Sequence, residues 1–136
     1  MPSLKYAIHV QAIPQCPPDT CRERDCEAYH FVHNPIGDSS FEVAAIAYPK
    51  RVFAPEARCQ SYGLSMFRSE AQARARFAKL LNRHSQIRTR IGTHVAMVRL
   101  TGAHGVQGEE NADGHFTLHE YVDVDFVPVS TLLGVL

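Results

Sequence analysis

No apolar run in this 136-residue chain approaches the roughly 20 residues of a membrane-spanning helix. The first ten residues, MPSLKYAIHV, alternate in polarity and form no continuous apolar block, unlike a secretory signal. The expectation is a cytoplasmic protein with reduced thiols and no membrane partner. Net charge is also absent, with 14 Lys and Arg against 14 Asp and Glu. From Thr101 to Leu136 there is no Lys or Arg at all, and that stretch holds six of the acids. Seven of the cations fall between Arg68 and Arg90. Either the two regions lie together and balance, or the cationic one is a face for an anionic ligand. No nucleic-acid motif accompanies it, so no nucleic-acid partner is expected. There is no internal repeat and no low-complexity segment, and the length suits one domain.

What is present centres on residues 61–82, SYGLSMFRSEAQARARFAKLLN. A short apolar run, Tyr62 to Phe67, reads as a strand, and Ser69 follows it. Ser69 with Gln72 three residues on spells a capping box and predicts a helix from there to about Asn82. Ala73, Phe77, Leu80 and Leu81 recur at helical spacing as its buried stripe. Arg76, Lys79 and Arg83 share another face, and Glu70 can pair with Arg74 one turn on. Period-two alternation predicts strands at 4–13, 27–33 and 115–126, and the valine-rich stretch 93–100 reads as an interior strand. Residues 41–48 read as either a strand or a buried helix, with length and flanking turns favouring strand. Pro14–Asp25 and Gly102–Gly114 read as loops, the latter without the glycine spacing of a nucleotide fingerprint. The apolar tail VSTLLGVL either docks on the core or pairs with a second copy of the chain. The sum is an α+β single domain, with a mixed or mainly antiparallel sheet packed by one main helix.

Three groups of residues carry candidate chemistry. On a regular strand, Glu120 falls on the face of Phe116, Leu118 and Val122, where a carboxylate must be paired or raised in pKa. It is either a structural residue held by an arginine such as Arg99, or a positioned catalytic carboxylate. His115 and His119 lie on one face of the same strand, about 13 Å apart, too far to share an ion. Cys16, Cys21 and Cys26 are spaced C-x4-C-x4-C, and His30 or His33 could complete a zinc site. The paired C-x2-C knuckles of zinc modules are absent, so free thiols and no stoichiometric metal are expected.

At Tyr29-His30, Tyr62 and Glu120 the chain resembles the diphtheria-toxin-like branch of the ADP-ribosyltransferase superfamily. That branch holds NAD with an early-strand His, a Tyr on a strand leading into a helix, and a late-strand Glu. The piece YGLSMFRSEAQARARF also resembles the strand and helix of that superfamily and of the small RES-type toxins. Phe77 and Ala78 stand where a second tyrosine would be expected. The resemblance implies NAD as cofactor, with His30 binding its ribose and Tyr62 stacking on nicotinamide. It implies Glu120 as the catalytic carboxylate of an ADP-ribosyltransferase or NAD glycohydrolase. The alternatives are a non-catalytic binding or regulatory module with a charge-segregated surface, and a metal-dependent hydrolase using the histidines.

Overall fold

In a computed structural model the described residues, 2–136, build one six-stranded sheet in which every pairing is antiparallel. Its strands are β1 (Cys26–Val32), β2 (Leu64–Phe67), β3 (His94–Leu100), β4 (Gly105–Gln107), β5 (His115–Glu120) and β6 (Ser130–Val135). They lie in the order β4-β5-β2-β1-β3-β6. The helices are α1 (Ala7–Val10), α2 (Ala44–Ala47), α3 (Glu70–Arg83) and α4 (Ile87–Arg90). Among the described residues no helix is long and apolar enough to cross a membrane.

The main helix starts where its chemistry puts it. Ser69 is extended, and its hydroxyl accepts the backbone N–H of Gln72 at 3.1 Å while donating to the Gln72 side chain. Ala73 and Phe77 are buried beneath α3, with Leu80 and Leu81 half-buried beside them. They pack on Phe31, Phe67 and Val95 of the sheet and on Ile87 of α4. The opposite face of the sheet carries Ala28, Leu64, Met66, Val98, Leu100, Phe116 and Leu118. No long helix covers it; Phe41, Val43 and Phe126, from irregular connections, close that core. At Gly92 a side chain is excluded, since a Cβ would come within 2.6 Å of the Val32 carbonyl oxygen. This lets the turn into β3 lie against the end of β1.

Four local expectations fail in whole or in part. The strand expected over 115–126 ends at Glu120, because the chain turns at Asp123, whose φ is 64°. Residues 4–13 form no strand: Leu4 makes one isolated bridge to Tyr121, and the chain then coils into α1, leaving Ile8 exposed. β5 already has β4 and β2 on its two sides, so this segment can reach only its end. Residues 41–48 hold the end of a 3₁₀ turn, Asp38–Phe41, and the helix α2. Three alanines there favour helix, while Phe41 and Val43 drop into the core. Within the 102–114 loop lies the edge strand β4, whose Gly105 sits against the His119 backbone. The oppositely charged regions do meet: Arg68 Nε lies 3.4 Å from Glu110, and Arg74 donates to the Val135 carbonyl at 2.7 Å.

These contacts set the cost of two substitutions. Phe77→Ala should destabilise by about 3–5 kcal/mol and Ser69→Ala by about 1 kcal/mol, read from denaturant midpoints at unchanged slope. An unchanged midpoint for Phe77→Ala would remove α3 from the core.

Candidate functional site

β1 is paired to β3 along its whole length, from Cys26 with Leu100 to Val32 with His94. Against β2 it makes one pair, Tyr29 with Phe67, and the two strands then part. The His30 ring fills the base of this opening. Its Nδ1 lies 2.8 Å from the Ser65 carbonyl oxygen of β2, and its Nε2 lies 2.7 Å from that of Ser40. Phe41 stacks on the ring at 5.2 Å. Both partners are carbonyls, so both nitrogens donate only in the imidazolium form. Burial nevertheless pulls the His30 pKa below its ordinary value, against these two bonds.

A cleft of about 1210 Å³ opens from this point. His30, Gly63, Ser65 and His115 line its floor, Arg76, Leu80 and Arg90 come from the helices, and His84 follows the end of α3. The segment after Ser39 supplies the other wall, including Tyr48, Arg51 and Phe53. Three arginines here outnumber the two carboxylates, Glu42 and Asp113, so the cleft is mildly cationic.

Glu120 ends β5, and its side chain is 1% exposed. The Lys5 backbone N–H donates to the Glu120 carbonyl at 3.0 Å, which sets the Lys5 ammonium 3.7 Å from Oε2. Oε1 has no partner among the described residues. Burial pushes the Glu120 carboxyl up to about 7, with Lys5 opposing. Arg99, the partner expected from sequence, is on β3, with β1 and β2 between it and β5. Strands spaced about 4.8 Å apart put it about 14 Å away, and it sits beside Glu27 at 3.8 Å instead. Glu120 lines a second cavity of about 430 Å³ with Lys5, Asp38, Phe41, Asp123 and Asp125. The Asp38–Phe41 turn divides the two spaces: Ser39 and Ser40 face the cleft, Asp38 and Phe41 the cavity.

Tyr62 closes a 3₁₀ turn, Gln60–Tyr62, just before β2. Leu64 pairs with Leu118, so Tyr62 and Glu120 stand at the same end of the β2–β5 pair. The Tyr62 ring stacks on His9 at 5.1 Å and packs on Tyr6 at 6.0 Å. Its neighbours Ser61 and Gly63, not Tyr62 itself, line the cleft. The three residues of the sequence resemblance thus occupy adjoining places: His30 the cleft, Glu120 the cavity, Tyr62 the N-terminal segment.

The cysteines depart from expectation. Cys16 and Cys59 form a disulfide across a sequence separation of 43 residues, while Cys21 and Cys26 are free. The expected reduced state fails for this pair because folding brings the Cys59 turn onto the N-terminal segment. Cys26 Sγ faces Gln107 instead of another thiol. The potential ligand atoms of Cys16, Cys59 and His119 lie within 4.8 Å of one another. His115 is not among them; its Nε2 meets the Ser65 hydroxyl at 3.0 Å. Comparison with protein-family models, with curated proteins and with solved structures gives no match.

The adjacent residues His119 and Glu120 pull stability in opposite directions with pH. Folded Glu120 holds its proton more tightly than unfolded, so its contribution is present below 4.5 and lost as pH rises through about 7. Burial lowers His119 to about 4, so its contribution is present above 6.5 and lost as pH falls through about 4. Shifts of this size are each worth about 3 kcal/mol. Between pH 4.5 and 6.5 the two slopes oppose. With the disulfide intact, Glu120→Gln should therefore gain stability with rising pH more steeply than wild type across that window. A variant slope equal to or flatter than wild type would refute the assignment to Glu120.

Proposed function

We propose that this protein consumes NAD, as an ADP-ribosyltransferase or NAD glycohydrolase, with the dinucleotide seated in the cleft between β1 and β2. One observation carries the reading. The sheet opens at His30, and the desolvated Glu120 stands in the next chamber, behind a single four-residue turn. The cleft has the volume and the Arg51, Arg76 and Arg90 guanidinium groups for a pyrophosphate, with Tyr48 and Phe53 as aromatic surface. Cleaving the nicotinamide–ribose bond builds positive charge on the ribose. A buried carboxylate with one uncommitted oxygen stabilises that charge as it forms.

In this reading a ribose hydroxyl replaces the Ser40 carbonyl on His30 Nε2. The Asp38–Phe41 turn then moves aside, and the two spaces join. The test is calorimetric titration with NAD, together with chromatographic detection of released nicotinamide. Wild type should bind and turn over. Glu120→Gln should keep the fold and NAD binding and lose about 10²–10³ in kcat, because its charge acts only as the bond breaks. Arg76→Ala should weaken binding. Folded wild-type protein with neither NAD heat nor nicotinamide release would discard the reading.

β6 favours a second reading, a binding module that self-associates. It is an edge strand carrying exposed Leu132, Leu133 and Val135, whereas the other edge, β4, is capped by a bridge from Arg22. Pairing of two β6 edges predicts a dimer by sedimentation equilibrium that Leu133→Lys converts to monomer. A monomeric wild type at the highest accessible concentration would end this reading.

A further inference from the structure

The Cys16–Cys59 disulfide ties the proline-rich N-terminal segment to the residue just before the Gln60–Tyr62 turn. A disulfide needs no histidine beside it. Yet His119, 4% exposed, presents Nε2 to Cys59 Sγ at 4.0 Å, and this is its one side-chain contact of hydrogen-bonding type among the described residues. A Cβ at Gly63 would clash with Thr117 Cγ2 and sit 3.3 Å from His119 Cε1, so a side chain there would crowd this face of β5. The strand direction of β5 aims His119 at the sulfurs and Glu120 at the opposite face.

We propose that Cys16, Cys59 and His119 bind one thiophilic divalent cation, zinc by preference, when the disulfide is reduced. The donor set is two thiolates and one imidazole, which is zinc chemistry, with the fourth tetrahedral position left to water. Zinc bonds of about 2.3 Å to sulfur and about 2.0 Å to nitrogen place tetrahedral ligand atoms about 3.5–3.8 Å apart. The Cys59–His119 separation is already close to that, and all three atoms fall within 4.8 Å. The two sulfurs must part, which needs the S–S bond broken, and the ligand atoms then close by less than about 1.5 Å onto the metal. A dithiol reductant supplies the two electrons and two protons: its own sulfurs become a disulfide, and Cys16 and Cys59 become thiols. Zinc then displaces both thiol protons as it binds. Disulfide and metal compete for the same two sulfurs, so one state excludes the other. The proposal stands apart from the NAD reading.

Cobalt(II) is the probe, added anaerobically to protein reduced with dithiothreitol and freed of it by gel filtration. The background is Cys21→Ser/Cys26→Ser, which leaves only the proposed thiols. One equivalent of cobalt per chain should give a thiolate charge-transfer band, and zinc should erase it. Oxidised protein should give none. Cys59→Ser should abolish the band, and His119→Gln should weaken binding at least tenfold and shift the ligand-field spectrum. Equal binding by oxidised protein, no band from folded reduced protein, or no change in His119→Gln would overturn the proposal. If reduction unfolds the chain, zinc should restore its circular dichroism, and failure to do so also overturns it.

Discussion

The architecture depends on one incomplete ladder. β1 and β2 are neighbours in the sheet, yet they share a single residue pair at Tyr29 and Phe67. A backbone carbonyl left without a partner in a partly buried place is costly. The His30 ring meets that demand at Ser65, and with its other nitrogen it fixes the Ser40 carbonyl. One side chain therefore does what a strand pairing would have done, and holds a connecting segment across the gap. The sheet can open without falling apart because β1 is fully tied to β3 and β2 to β5. Two well-paired blocks meet along a weak seam, and the cleft is that seam.

The second constraint is the burial of Glu120. Its apolar neighbours, Phe116 and Leu118, belong to the larger core, so the strand cannot turn the carboxylate out without exposing them. Lys5 answers part of the cost, from 3.7 Å and with its own side chain 43% exposed. A solvated ammonium at that distance is a weak partner, and the raised pKa of Glu120 records the remainder. Retaining such a group costs stability, and a positioned reactive carboxylate is one return that would offset it. Beyond Lys5, the other charged residues lining its cavity, Asp38, Asp123 and Asp125, are also acids, so none of them offers a cationic partner.

What could be read from the sequence divides along a physical line. Features set by neighbours in sequence were legible: the Ser69–Gln72 cap, the Ala73–Phe77 stripe, and the alternation that put Glu120 among apolar residues. The α+β class followed from these. Features set by long-range choice were not. Nothing local prefers Lys5 over Arg99 as the partner of Glu120; only the strand order, with two strands intervening, decides it. Nothing local pairs Cys16 with Cys59 across the chain while leaving Cys21 and Cys26 free. The alternation of Leu4, Tyr6, Ile8 and Val10 was a true period-two signal, but β5, which Leu4 meets at Tyr121, already has β4 and β2 on its two sides. β4 is three residues long and begins with glycine, too short for any periodicity to show.

His119 and Glu120 are consecutive, and the pleat of β5 sends them to opposite faces. One meets the Cys16–Cys59 pair, and the other floors the acidic cavity. The turn carrying Cys59 runs directly into Ser61 and Gly63 on the cleft wall, and Tyr62 between them stacks on His9 of the disulfide-tethered segment. That same segment, through Lys5, supplies the charge partner of Glu120. The disulfide and the buried carboxylate are thus anchored to the same two pieces of chain. The N-terminal segment touches three places at once, Cys59 through the disulfide, Tyr62 through His9 and Glu120 through Lys5, while the β1–β3 and β2–β5 blocks are tied by their own ladders.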